Sequence, residues 1–272
     1  MKRVRSPAVA GTFYPSQAGE LKKQITAFLN AAPGNGADTR AIIAPHAGYI
    51  YSGPVAACAY RYLADSHAAE TVRRVVLLGP AHYVPVAGLA LSSAAAFATP
   101  LGSVPLDAPT AEKLLALPHV SALEAAHRRE HSLEVHLPFF QSVLGSFSLV
   151  PLVVGDAAPA EVAEVLEQVW NPPQTLIVVS SDLSHFHDYN TARQLDQATA
   201  RAIEALQPGS IDREQACGRI PVQGLLLLAR KLKLKAKTVD LRNSGDTAGP
   251  RDRVVGYGAW VFVQSTPPPT PN

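Results

Sequence analysis

The chain has 272 residues, 24 of them basic and 22 acidic, with a formal net charge of +2, 47% hydrophobic residues and only 17% charged ones. High hydrophobicity with little net charge excludes an intrinsically disordered chain, and a count of two cysteines excludes a disulfide-stapled module. The near balance of charge gives no general field for phosphates, so nucleic acid is not an expected partner.

The chain opens with basic residues, Lys2, Arg3 and Arg5, but no apolar segment follows them, so no signal peptide is expected. Ala41-Ile42-Ile43-Ala44 predicts a short buried strand. Pro54 to Leu63 predicts a helix with proline in its first turn. Arg74 to Gly79 is a β-branched strand ended by glycine. The most apolar region, Leu77 to Leu101, is broken by Pro80, His82, Pro85 and Pro100. A membrane span needs about 20 continuous apolar residues, so none is expected and the cytoplasm is the default compartment.

Leu149 to Val154 and Thr175 to Ser181 predict two further strands. Between them, Val162, Val165, Leu166 and Val169 form a helical stripe in Ala160 to Val169. Helices are predicted over Asn190 to Leu206 and Val222 to Leu232, and a last strand over Val254 to Val263. Continuous apolar strands alternating with amphipathic helices argue an α/β layer fold. No repeat or Pro/Gly/Ser-rich linker divides the middle, so residues 1–264 are expected to form one domain. Residues 265–272, rich in proline, are expected to form an extended tail.

Nine histidines are present, and three follow predicted strands. His46 follows the strand ending at Ala44, His82 the one ending at Gly79, and Asp182 with His185 the one ending at Ser181. Ligands of open α/β sheets bind in the crevice beyond the carboxyl ends of the strands. His46, His82 and His185 are therefore expected to converge on a polar site if their strands are neighbours. His67, His119 and His127 lie in polar or turn-rich stretches and are expected in solvent.

A fourth cluster is Glu130-His131-Ser132-Leu133-Glu134-Val135-His136-Leu137-Pro138. Its histidines are five apart, not the four of a zincin HExxH helix, so a zinc protease is excluded. On a helix Glu134 would neighbour His131, and in an extended segment it would share a face with His136. Either arrangement would orient a ligand, while a structural ion pair beside a hydrogen-bonded imidazole is the alternative. Phosphate-binding, dinucleotide-binding, nucleophile-elbow and CxxC motifs are absent from the sequence. Cys217 precedes a predicted helix beside Arg219, which suits either an activated thiolate or a small buried thiol. The polar stretch Arg242 to Gly249 joins two late strands, as a turn or as a loop lining the site.

These motifs together resemble the Memo family, named for a mediator of receptor-driven cell motility and including the prokaryotic AmmeMemoRadiSam system protein B. The resemblance runs from Arg5-Ser6-Pro7-Ala8-Val9-Ala10-Gly11-Thr12-Phe13-Tyr14-Pro15 through Pro45-His46-Ala47-Gly48-Tyr49 and Gly79-Pro80-Ala81-His82. It continues through Glu130 to Pro138, Ser180 to His185, Cys217-Gly218-Arg219 and Asn243-Ser244-Gly245-Asp246. It implies a class III extradiol dioxygenase-like fold, a single α/β domain with a mixed central sheet flanked by helices. It implies His46 and His82 as metal ligands and Asp182, His185 and His131 as catalytic groups of the same pocket. Tyr49, Cys217, Arg242 and Asp246 are expected to line it.

The implied cofactor is a mononuclear iron or copper ion, with zinc also compatible and a metal-free protein the alternative. The cysteine that supplies a third ligand in the eukaryotic branch is replaced by Leu241, which cannot ligate. The third ligand is then left among Asp182, His185, Cys217 and Asp246. The expected function is metal-dependent redox chemistry, with a non-catalytic module for a peptide, phosphorylated group or small metabolite as the alternative. A radical enzyme is the partner that the family's longer name implies.

Overall fold

Strands made only of β-branched and leucine side chains need an apolar layer on both faces. The computed structural model, which describes residues 3–34 and 38–264, gives them those layers. The expected tail, 265–272, lies outside the described residues.

In chain order the strands are β1 (Val4–Arg5), β2 (Thr39–Ala44), β3 (Arg74–Pro80), β4 (Leu89–Leu91), β5 (Ala96–Thr99) and β6 (Gly102–Pro105). There follow β7 (Val120–Ala122), β8 (Ser148–Val154), β9 (Thr175–Ser180), β10 (His185–His187), β11 (Leu234–Asn243) and β12 (Val254–Gln264). The helices are α1 (Ala18–Ala31), α2 (Tyr49–Ala64), α3 (Ala68–Thr71), α4 (Ala108–Leu114) and α5 (Glu124–Arg128). The remaining four are α6 (Leu137–Val143), α7 (Pro159–Val169), α8 (Tyr189–Glu204) and α9 (Arg219–Lys231).

Nine strands form one mixed sheet in the order β10-β12-β2-β9-β3-β8-β4-β7, with β11 paired to β12. Its centre, β2-β9-β3-β8, is parallel, and β12 and β4 run antiparallel to it. A small second sheet joins β1, β5 and β6. Side chains of a strand alternate between faces. Ile42, Val75 and Leu77 accordingly pack with Leu21, Tyr60 and Phe139 of α1, α2 and α6. Ile43, Val76 and Leu78 pack on the other face with Val165, Leu166 and Leu225 of α7 and α9. Each fully buried aliphatic side chain contributes about 1.5–3 kcal/mol. The chain is thus a mixed α/β domain with helices on both faces of the sheet.

The predicted strands and helices are all present, with two informative shifts. α2 begins at Tyr49, ahead of Pro54, because Phe13 O accepts the Tyr49 N–H at 2.8 Å and Gly48 O accepts the Ser52 N–H. α8 begins at Tyr189 because Asp188 caps it, accepting the N–H groups of Asn190 and Thr191. Among the described residues, no helix is long and apolar enough to cross a membrane.

The N-terminal arm is fixed by a buried ion pair. Arg5 Nη1 donates to Glu134 Oε2 at 2.8 Å, and both side chains are excluded from solvent. Glu134 also accepts the backbone N–H groups of Ala8 and Val9 and the Tyr14 hydroxyl. Glu134 therefore orients neither His131 nor His136, and the structural ion pair is the arrangement found.

His127, expected in solvent, is 1% exposed. Its Nε2–H donates to Ala90 O at 2.9 Å, and its ring packs edge-on to Phe97. The charged turn around it conceals this burial in the sequence. His67 is exposed and His119 is half-buried.

Two measurements test these contacts. Glu134→Gln leaves the Arg5 guanidinium buried without a counter-charge, so a loss of about 3–5 kcal/mol in urea unfolding is expected; a loss below about 1 kcal/mol would show the pair to be idle. Burial pushes the His127 pKa down from 6.5 to about 4. Below pH 6.5 the unfolded chain takes up a proton there that the folded chain refuses. Stability should therefore fall between pH 6.5 and about 4, by about 3 kcal/mol from this residue. His127→Gln, which does not titrate, should flatten that part of the unfolding profile, and an unchanged profile would assign the slope elsewhere.

Candidate metal centre

The strand order brings the predicted ends together. β9 lies between β2 and β3, parallel to both, with Ala44 opposite Ser180 and Leu78 opposite Val179. His46, Asp182 and His82 each follow one of these ends. Two of the three converging imidazoles are His46 and His82, and the third is His131, not His185. One ligand nitrogen from each of His46, His82 and His131 lies within 4.8 Å of the other two. The ring centroids are 5.2 Å apart for His46 and His82 and 4.6 Å for His82 and His131. His185 Nδ1–H instead donates to Leu183 O at 2.8 Å, which makes Nδ1 the protonated nitrogen. Its strand β10 pairs with β12, and it lines the adjoining cavity.

His131 arrives from the irregular segment between α5 and a single 3-10 turn, Glu134–His136. Ser132 Oγ donates to Pro80 O at 3.1 Å, fastening this segment to the end of β3. The approach requires glycine at 79, where a Cβ would stand 2.7 Å from Ser132 Oγ and 2.9 Å from a Leu133 methyl.

The hydrogen-bond network assigns the tautomers. The Ser180 hydroxyl donates to Ser132 O at 2.7 Å, so its lone pairs accept. His46 Nδ1–H donates to it at 2.6 Å and His136 Nε2–H at 2.9 Å. His136 Nδ1 then accepts the Tyr60 hydroxyl at 2.7 Å. On His82, Nδ1–H donates to Glu130 Oε1 at 2.8 Å, and the backbone N–H of His82 meets Oε2. His46 and His82 consequently present the lone pairs of their Nε2 atoms. His131 Nδ1 faces the Tyr83 hydroxyl at 3.3 Å.

Electrostatics agree with neutral rings. Burial, then the neighbouring His82 and His131, hold the His46 pKa well below its usual value. Burial and His82 also lower that of His131. Burial opposes the charge of Glu130, but hydrogen bonds from His82 and Ser132 outweigh it and hold the pKa down to about 2. A neutral imidazole with a directed lone pair is the form that ligates a metal.

Asp182 is buried beside this group. Its Oδ1 accepts the His46 backbone N–H at 2.8 Å, and its Oδ2 lies 3.9 Å from His46 Nε2. Burial raises its pKa, against that hydrogen bond and the nearby histidines. Cys217 Sγ lies 3.5 Å from His46 Nε2. Burial, then Asp182, pushes its pKa up to about 12, which favours the protonated thiol over the activated thiolate of the two readings of this residue.

Three residues expected to line the pocket lie elsewhere. Tyr49 is buried against Tyr14 and Phe139, its hydroxyl donating to Val135 O at 2.7 Å. Arg242 pairs with Asp240, two residues before it on β11. Asp246 accepts the Tyr189 hydroxyl at 2.6 Å and the Asn243 N–H. The segment from Arg242 to Gly249 is thus closed by its own hydrogen bonds. Two positioning residues escaped the sequence reading. Glu130 stood in a motif already singled out, and Ser180 is a polar residue inside an apolar strand, which is itself a signal.

The family model for Memo-like protein matches residues 5–261. A MEMO1 family protein of Aquifex aeolicus (strain VF5) is 37% identical over 96% of this chain and 100% of its own. A MEMO1 family protein of Metallosphaera sedula is 33% identical over 95% of this chain and 99% of its own. Among solved structures, the uncharacterized protein JW3007 from Escherichia coli K12 is 13% identical, with a TM-score of 0.48, over 80% of this chain and 99% of that one. The chain belongs to the Memo family.

Proposed function

We propose that this chain holds one transition-metal ion between Nε2 of His46, Nε2 of His82 and a ring nitrogen of His131, and uses it on a small molecule. The observation that carries this reading is the pair of occupied Nδ1 atoms. Ser180 and Glu130 take up those protons, so the Nε2 lone pairs of His46 and His82 are left for a ligand, in a group whose ligand atoms lie within 4.8 Å of one another. The likeness to class III extradiol dioxygenases supports a dioxygenase-like fold and a non-haem iron ion, and three imidazoles suit copper or zinc as well. A bound ion would polarise a substrate oxygen or exchange electrons with it.

The chain's own residues supply the rest. Asp182, with one oxygen fixed by His46 N–H, holds the other at the edge of the group, where it can take or release a proton. His185, on the cavity wall, is a second proton carrier. Leu241, at the position of the eukaryotic thiolate, is packed among apolar side chains, so His131 takes the role of third ligand.

Metal analysis of protein purified without a histidine tag tests the reading. Wild type should carry iron, copper or zinc, and the His46→Ala/His82→Ala/His131→Ala triple variant should not. Equal metal in both would overturn it. Ser180→Ala and Glu130→Gln should each weaken metal binding about 10–100-fold in a chelator competition, because each frees a ring that is now oriented. Unchanged affinity in both would show that the rings need no such support.

A further inference from the structure

Beside the histidines lies a cavity of about 500 Å³, whose lining includes His82, His185, Cys217, Arg213, Glu214 and Arg219. Ligand pockets for small molecules run from about 300 to 1,000 Å³. The arginines of the described residues separate into two groups. Exposed ones need no counter-charge, because water solvates them. Those withdrawn from solvent each meet a carboxylate: Arg5 pairs with Glu134, Arg40 with Asp38, Arg61 with Asp65, Arg74 with Asp107 and Arg242 with Asp240. Arg219 is the exception among the described residues. It is half-buried, and its guanidinium has no hydrogen-bond or ion-pair partner. Glu214 lines the same cavity and pairs with neither arginine.

The guanidinium does not stand there by looseness of the chain. Arg219 opens α9, and the residues before it are locked to the end of β9. Gly218 N–H donates to Ser181 Oγ at 3.0 Å, and Cys217 N–H to Asp182 O at 3.3 Å. A Cβ at Gly218 would stand 2.6 Å from Ser180 O, so the approach is as close as the backbone permits. Through these bonds Arg219 is built into the same framework as His46. A planar guanidinium in a partly desolvated cavity is suited to bidentate binding of a carboxylate or phosphate.

We propose that Arg219 is the anion-binding residue of this cavity, and that the ligand is a small molecule whose carboxylate or phosphate group it holds beside the histidine cluster. This deepens the reading of the cavity as the substrate site, but the anion contact itself needs no metal. Succinate and inorganic phosphate, titrated calorimetrically into metal-stripped full-length protein in a zwitterionic buffer, test it. At least one should bind saturably, and the tighter of the two identifies the group as carboxylate or phosphate. Arg219→Gln should weaken that binding by about tenfold or more, since hydrogen bonds to charged groups are worth about 1.5–3 kcal/mol. Arg219→Lys, which keeps the charge without the fork, should fall between the two. Circular dichroism checks that each variant is folded. Failure of wild type to bind either anion, or wild-type affinity in folded Arg219→Gln or Arg219→Lys protein, would overturn the proposal. Because the titration is done without metal, a wild type lacking metal would sink only the metal reading and leave this result standing.

Discussion

The buried bond between Arg5 and Glu134 is the contact on which the histidine-bearing segment depends. Removing two charges from water costs several kcal/mol each, and their attraction offsets this only if the remaining polar atoms are also paired. Here they are. Glu134 accepts from Arg5, Ala8, Val9 and Tyr14. Arg5 spends its other donors on the carbonyls of His127 and Glu130, at 2.7 Å each. Those two carbonyls bracket the entry to the irregular segment that carries His131. A stretch with almost no helix or sheet bonding of its own is thereby held by an arm from the other end of the sequence.

The same completeness recurs one layer further in. A serine hydroxyl has one proton and two lone pairs, and Ser180 uses all three. Its proton goes to Ser132 O, and its lone pairs to His46 and His136. The direction of every bond in the chain from Tyr60 to Ser132 follows from that one donor. The tautomer of His46 is therefore set by a strand residue, a helix tyrosine and a backbone carbonyl, none of which faces the cavity. Glu130 does for His82 what Ser180 does for His46, with a carboxylate in place of a hydroxyl. The two rings differ accordingly: His82 is held by a charged acceptor and His46 by a neutral hydroxyl.

This division explains what was legible in the sequence. The strands and helices are local patterns of apolar side chains, and they stand where the patterns put them. That His46, His82 and Asp182 lie at one end of the sheet also follows from local position, since each comes just past a strand. The exchange of His185 for His131 does not. His185 has the right position along the chain, but β10 is captured by β12 at Val255, which carries the ring to the cavity wall. His131 has no strand to announce it, and it arrives through bonds to Arg5, Pro80 and Glu130 that are formed only in the folded chain. His127 misleads for the same reason, because a polar neighbourhood in sequence became an interior one in space. Family resemblance carried the reading of His131 as a pocket residue further than the pattern could.

The leucine at position 241 gives the site its electrical character. Leu241 pairs with Gly258 across β11 and β12 and packs with the apolar cluster on one face of the sheet. A thiolate ligand would have brought a negative charge to the metal. Three neutral imidazoles bring none themselves; of the two carboxylates beside them, Glu130 stays ionised against His82, while Asp182 is pushed by burial toward its protonated form. The buried thiol of Cys217 likewise keeps its proton. A divalent ion held by such a set would keep a net positive charge beside the single negative charge of Glu130, with the guanidinium of Arg219 adding another on the cavity wall. Glu214 is the carboxylate on that wall, and it pairs with neither arginine, so the Arg219 guanidinium is left without a partner there. An anionic small molecule is the ligand that would complete that balance, and a cationic one would be opposed by the same field.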